Sequence, residues 1–114
     1  MKLISFDPSR AITEHDSSGA TIAGVVHASG EVRVALLRLD PGGVLGLHPA
    51  VGPQLFLVVA GEGRVRGAEE ELLPIAAGTA ALWEDGEPHE TTTNTGLTAV
   101  IVEAETIKPV DATK

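Results

Sequence analysis

The sequence predicts an all-β sandwich or barrel, and three observations support this fold class. The 114 residues include 13 glycines and seven prolines. Most of the glycines lie about eight to twelve residues apart, which is the spacing of short strands joined by turns. The segments between them are rich in β-branched and aliphatic residues, which favour strands. No helical hydrophobic period longer than about ten residues occurs between the glycines.

Nine segments are predicted as strands, and closing them into a barrel would hide their edges. In chain order they are residues 20–27, 31–39, 44–48, 54–60, 64–66, 72–76, 79–83, 89–93 and 97–103. We interpret 20–27 and 31–39 as the two arms of a hairpin. The sequence Gly61-Glu62-Gly63 is predicted to be a turn between two strands.

The two ends of the chain show a weaker pattern than the middle. Residues 1–16 and 106–114 are expected to form an edge strand and a tail. No linker or low-complexity segment divides the sequence. The length of the chain is typical of one domain, and we therefore treat residues 1–114 as a single domain.

Charge and composition exclude several classes of function. Sixteen acidic residues against eight basic ones give a net charge of −8, which would repel a nucleic-acid backbone. The absence of cysteine excludes disulfides, a thiolate metal site and a cysteine nucleophile. Neither a signal peptide nor an apolar run of about 18 residues is recognisable. We therefore expect a cytoplasmic protein that binds neither nucleic acid nor membrane.

Two histidines are the candidate functional residues. His48 and His89 each stand where a predicted turn meets a predicted strand. Histidine is the commonest metal ligand and titrates near neutral pH. His15 lies in a polar loop and His27 at the end of a strand, so these two are expected to be structural or solvated.

A spaced pattern surrounds His48. Gly42 is followed after five residues by His48, after one more by Ala50, after three by Gln54 and after six by Gly61. This pattern, about residues 42–61, resembles the first motif of the cupin family. In that motif a His-x-His pair, a Glu and a closing Gly follow the opening Gly at a similar spacing.

A second pattern surrounds His89. Gly78 is followed after five residues by Glu84, after one by Gly86, after two by His89 and after three by Thr93. This pattern, about residues 78–93, resembles the second cupin motif. The order and separation of the two motifs also resemble those of small bacterial cupins. The resemblance implies an antiparallel jelly-roll β-barrel with a ligand pocket inside it.

The departures from the family pattern concern its metal site. Where the family has His, His, Glu and His, this sequence has His48, Ala50, Gln54 and His89. One imidazole is therefore missing, and a neutral amide replaces the carboxylate. The resemblance implies a site for a divalent metal such as Zn, Ni, Fe or Mn. Because two imidazoles and an amide leave its charge uncompensated, we expect weak binding by His48, Gln54 and His89, or none.

Other groups could complete the site. Glu84 and Glu87 lie in the turn before His89, where a side chain can be redirected inward. Glu90 is adjacent to His89, so strand alternation should direct it outward. Without a metal, His48, Gln54 and His89 could hold a carboxylate, a carbonyl or a sugar hydroxyl, or catalyse acid–base chemistry.

The predicted pocket also has aromatic walls. Strand alternation places Phe56 on the same face as Gln54, so Phe56 should line the interior. Trp83, the single tryptophan, precedes the turn of the second motif and is either a core residue or a pocket residue. We therefore predict that His48, Gln54, Phe56, Trp83 and His89 bind a small organic ligand.

Three functions are compatible with these residues. The first, which we favour, is a small-molecule-binding cupin with a residual site. The second is an enzyme, either a metal-dependent oxygenase or isomerase or a metal-free isomerase or lyase. The third is a structural dimer module with a vestigial site. A homodimer is expected as well, because a small domain gains stability by burying more surface. Residues 1–6 and 20–27 are the predicted apolar contact.

Overall fold

The computed structural model describes residues 1–110 and shows an all-β fold. Its strands are β1 (Lys2–Ser5), β2 (Arg10–Ile12), β3 (Ala20–Ile22), β4 (Val26–Ser29), β5 (Arg33–Leu39), β6 (Val44–Pro49), β7 (Gln54–Arg66), β8 (Leu73–Ala76), β9 (Thr79–Trp83), β10 (Pro88–Thr92), β11 (Leu97–Glu103) and β12 (Thr106–Pro109). The helical element within residues 1–110 is one 3-10 turn, Glu14–Asp16. No helix in this range is long and apolar enough to cross a membrane.

Two antiparallel sheets share the long strand β7. The first sheet has the order β1–β9–β7–β11–β5, and the second has the order β8–β7–β10–β6. The first part of β7 pairs with β9 and β11, and its last part pairs with β8 and β10. The connection between the two sheets is therefore a continuous strand.

The predicted turn at Gly61-Glu62-Gly63 is wrong, because these residues lie inside β7. Gly61 has a φ of +80° and is the point at which β7 stops pairing with β11. Glu62 is the first residue that pairs with β8. Glycines in a strand often mark a sharp bend. Here they bend the chain from one sheet into the other without ending the strand.

The predicted hairpin between residues 20–27 and 31–39 is also wrong. β3 pairs with β2, and β4 pairs with β12. β5 pairs instead with β11 and is the outermost strand of the first sheet. The tail expected at 106–114 is a strand as far as Pro109, and the rest of that prediction, residues 111–114, lies outside the described residues. The edge strand expected near the start of the chain is β1.

The core lies between the facing sides of the two sheets. Its buried side chains are Ala50, Phe56, Val58, Val65, Ile75, Ala81, Trp83, Leu97 and Ala99. Phe56 and Trp83 are both fully buried, with ring centroids 5.8 Å apart. The indole N–H of Trp83 donates to the carbonyl of Arg66 over 3.1 Å, so this polar group is satisfied inside the core.

An exposed apolar row on β5 bears on the expected homodimer. Val34 and Leu36 are 64% and 78% exposed, more than Leu3 and Ile22 of the predicted contact, which are each 40% exposed. β5 has a partner on one edge only among residues 1–110. We propose that two copies of the chain associate through this apolar row, packed face to face, because exposed apolar patches favour association.

Leu36→Lys should therefore convert a homodimer into a monomer. The introduced charge would have to be buried without a partner at the interface, which is costly. Val51→Lys is the matched control, because Val51 is 82% exposed but lies outside the strands. Light scattering at micromolar concentration measures the mass. A monomeric wild type, or loss of the dimer in both variants, would contradict this interface.

Candidate functional site

His89 lies on the inner face of β10 and is fully buried. Its Nδ1–H donates to the carbonyl of Glu87 over 3.1 Å. The indole ring of Trp83 stacks on the His89 imidazole, with ring centroids 4.4 Å apart and planes 25° from parallel. The hydrogen bond and the stack together fix the orientation of the His89 imidazole.

His48 lies beside His89 on the neighbouring strand. The register of β6 and β10 places the two residues directly opposite each other. Their ring centroids are 4.2 Å apart at an angle of 57°. His48 is exposed, and its ring packs against the fully buried ring of His89. The structure therefore brings together the two histidines that the motifs singled out.

Both imidazoles present the same kind of atom to a ligand. The Nδ1 of His48 lies 2.6 Å from the carbonyl of Gly46, and the Nδ1 of His89 is bonded to a carbonyl as well. Because a carbonyl oxygen can only accept, each Nδ1 must bear the proton. In the neutral ring the Nε2 atom is then a hydrogen-bond acceptor with a free lone pair.

His89 is held in this neutral form by its surroundings. Burial lowers the pKa of His89, and the neighbouring His48 lowers it further, against the opposing effect of the hydrogen bond to Glu87. The Nε2 of His89 is buried and has no hydrogen-bond partner among residues 1–110. A buried acceptor without a partner costs about 1–3 kcal/mol, so this atom calls for an explanation.

Gln54 begins β7 and is 6% exposed. It lies opposite Trp83 on β9 and opposite Glu103 on β11. Among residues 1–110 its side chain makes no hydrogen bond to His48 or His89. Gln54 therefore lies beside Trp83, the residue that stacks on His89.

Of the two turn carboxylates considered as replacement ligands, one is hydrogen-bonded to other groups and the other is exposed. The Glu87 carboxylate accepts hydrogen bonds from the α-ammonium group of Met1 over 2.7 Å and from the backbone N–H groups of Glu84 and Ala68 over 3.0 Å. Burial raises the pKa of Glu87, but these bonds outweigh it and lower the pKa. Glu84 is exposed. Glu90 faces outward, as predicted, and lies 3.9 Å from Arg66.

Glu103 is the acidic residue that the sequence analysis missed. It ends β11 on the face that also presents Leu97, Ala99 and Ile101 to the core. Its carboxylate is 3.4 Å from the guanidinium of Arg33. It is also near enough to raise the pKa of His89. Alternation along β11 could have revealed this position, because every second residue from Leu97 points inward.

The sequence of residues 35–104 matches the model of a family described as the cupin domain. The match extends from β5 to the end of β11 and includes both histidines. The chain belongs to the cupin family. The all-β jelly-roll fold predicted from the two motifs is thereby confirmed.

Solved cupin structures have the same fold at low sequence identity. A cupin superfamily protein from Desulfitobacterium hafniense is 13% identical, with 91% of this chain and 98% of that chain covered and a TM-score of 0.60. A conserved Klebsiella pneumoniae protein with a double-stranded β-helix domain is 20% identical, with coverages of 90% and 98% and a TM-score of 0.60.

A third solved structure comes from a study of two DMSP lyases. It is 17% identical, with a TM-score of 0.60, and the alignment covers 73% of this chain but 46% of that one. No curated protein sequence matches the chain. These likenesses establish the cupin fold and leave the chemistry to the site itself.

The site of this cupin does not fit the metal centre that the family resemblance implies. Among residues 1–110 no three His, Cys, Asp or Glu side chains are grouped so that they could hold a metal ion. Ala50 occupies the position of the missing imidazole and is 4% exposed within the core. The two imidazoles supply no negative charge to a divalent cation, and the Glu87 carboxylate is already bonded elsewhere.

Proposed function

We propose that this cupin binds a small, neutral, hydroxyl-bearing organic molecule through the histidine pair. The observation that supports this most directly is the Nε2 atom of His89, which is buried, lacks a partner among residues 1–110 and is fixed as an acceptor. Such an atom is satisfied by an O–H or N–H donor. A ligand hydroxyl supplies that donor.

The charge of the site disfavours an acidic ligand. A carboxylate or a carbonyl offers lone pairs, which would face the lone pairs of the two Nε2 atoms. Glu103 adds a negative charge nearby, and the protein has a net charge of −8. Of the groups that the sequence left open, the sugar-type hydroxyl fits the buried Nε2 acceptor of His89 and the carboxylate does not.

A ligand that reaches His89 must pass or displace neighbouring side chains, since His89 is fully buried. The ring of the exposed His48 packs against it and is held by one side-chain hydrogen bond, to the carbonyl of Gly46. Rotation of an exposed side chain is fast, on the picosecond to nanosecond timescale. We infer that a ligand displaces the His48 ring and then uses its Nε2 as a second acceptor.

A divalent metal is proposed to bind weakly at most. Two imidazoles remain as ligands, and the neutral Gln54 replaces the carboxylate. Zn, Ni, Fe or Mn would therefore be lost on mild chelation. The function proposed here needs no metal, because both histidines accept hydrogen bonds without one.

Thermal-shift measurements with a small panel test this function. The panel contains glycerol, glucose, acetate and Zn²⁺, and the proteins are the wild type, His89→Phe and His27→Phe. A ligand at 100 times its Kd stabilises the folded state by about 2.7 kcal/mol, which corresponds to several degrees in Tm. We expect a shift with a hydroxylated compound in the wild type and in His27→Phe, whose substituted residue is exposed on β4, but none in His89→Phe.

The fold should survive the substitution at His89. Phenylalanine keeps the ring and removes the unpartnered Nε2, so its loss of one hydrogen bond is offset. A wild type that responds only to acetate would contradict the proposed ligand class. A wild type that responds to nothing, together with a His89→Phe variant that melts far lower, would show that the histidine is a structural core residue.

A further inference from the structure

A second buried polar atom without a hydrogen-bond partner among residues 1–110, the Oγ1 of Thr91, lies two residues after His89 on β10. Thr91 is fully buried. Buried and partly buried residues alternate along β10, so Thr91 and His89 both face inward, with Cα atoms about 7 Å apart and an irregular pairing with β6 between them. The residues opposite Thr91 are Leu45 on β6 and Val65 on β7, and both are apolar.

Thr93, the next buried residue of the chain, has a hydroxyl with hydrogen-bond partners and is a reference for Thr91. The hydroxyl of Thr93 donates to the carbonyl of Glu62 over 2.7 Å and accepts from the backbone N–H of Gly96 over 2.9 Å. Thr93 therefore has a structural role, whereas Thr91 has no contact of that kind in the described part of the chain. Valine would have the same shape at position 91 without the buried hydroxyl.

We propose that Thr91 is a specificity-determining residue that binds the same ligand hydroxyl as His89. This inference rests on the proposed function. The Nε2 of His89 can only accept, so it requires a donor from the ligand. The hydroxyl of Thr91 can donate as well as accept, so it adds a preference for an atom that both donates and accepts. An alcohol oxygen has both properties, and an ammonium group only donates.

The pair therefore distinguishes alcohols from ammonium groups and from ethers. A ligand O–H donates to His89 and its oxygen accepts from Thr91, which satisfies two buried polar atoms with one group. An ammonium group would leave Thr91 without an acceptor for its proton. An ether oxygen would leave His89 without a donor.

Binding of three small probes to the wild type, Thr91→Val and Thr91→Ser tests this inference. The probes are ethylene glycol, ethylammonium and 1,2-dimethoxyethane, and their binding is followed through the chemical shift of the Trp83 indole signal. In the wild type we expect ethylene glycol to bind best. Thr91→Val should weaken ethylene glycol about tenfold and reduce its preference over ethylammonium. Thr91→Ser, which keeps a hydroxyl, should restore binding.

Because the wild type and the two variants have the same charge, the ratio of their dissociation constants for ethylene glycol isolates the effect of the hydroxyl. Equal ethylene glycol binding by the wild type and Thr91→Val would overturn the role of Thr91 and leave the proposed function standing. A wild type that does not bind ethylene glycol would overturn both.

Stability gives an independent readout with a matched control. Thr91→Val removes an unpartnered hydroxyl and should raise Tm by about 3–5 °C or leave it unchanged. Thr93→Val removes a bonded hydroxyl and should lower Tm by at least as much. If Thr91→Val is as destabilising as Thr93→Val, the hydroxyl of Thr91 already has a partner, and the inference is wrong.

Discussion

Gly61→Ala is expected to destabilise the protein strongly, whereas Gly78→Ala should lose far less stability. Both glycines belong to the cupin motifs and have positive φ angles, +80° and +95°. A Cβ on Gly61 would collide with backbone atoms of Gly96 and Leu97 in the neighbouring chain segment. A Cβ on Gly78 would have no atom within 4 Å. The two variants therefore share the conformational strain, and only Gly61→Ala adds a backbone clash.

The size of the difference follows from the stability of small domains. The strain of a non-glycine residue in the left-handed region costs about 1–2 kcal/mol, which a domain with about 5–15 kcal/mol of stability tolerates. A clash with backbone atoms requires β7 or the start of β11 to move, and that movement disrupts the core around Leu97.

Urea denaturation followed by far-UV circular dichroism measures both variants. We expect Gly78→Ala to lose about 1–2 kcal/mol and Gly61→Ala to lose more than about 4 kcal/mol. Similar losses in the two proteins would mean that the close approach of Gly61 to Gly96 does not limit the fold.

Gly61 also shows where prediction from the sequence reached its limit. A glycine flanked by strand residues indicates a turn or a bend, and the local pattern is the same for both. Only the partners of β7, which lie on different sheets before and after Gly61, distinguish the two. For the same reason the pairing of β4 with β12 could not be predicted, because a register between distant segments leaves no local signal.

The candidate site was predictable to the extent that the motifs contained it. The spacing of the two motifs placed His48 and His89 together, and strand alternation directed Glu90 outward. Glu103 was missed because it lies beyond the second motif, although its strand face is readable. The hydrogen bond from the Met1 ammonium group to Glu87 joins residues far apart in the chain, so the sequence of the turn does not reveal it.

Gln54→Glu combined with Ala50→His should convert the site into a tight metal centre. The carboxylate would place a negative charge near the His48–His89 pair, where the wild type has a neutral amide. At the effective dielectric of a protein, one charge beside a divalent ion contributes about 3 kcal/mol or more, which is about 100-fold in affinity. A third imidazole would add to this gain, because neutral imidazole is a preferred ligand of Zn²⁺.

The two substitutions differ in how easily the core accommodates the new side chain. Gln54→Glu keeps the shape of the side chain, whereas Ala50 is 4% exposed within the core, and a histidine there must displace its neighbours. Calorimetry with Zn²⁺ on Gln54→Glu alone therefore comes first, and the expected gain over the wild type is about 100-fold. The control is Gln54→Glu in a His89→Phe background, where the gain should disappear because one imidazole ligand is lost. If Gln54→Glu binds Zn²⁺ no better than the wild type, or binds it equally well without His89, then Gln54 does not face the histidine pair. In that case the weakness of metal binding would have to come from the missing imidazole at Ala50 alone.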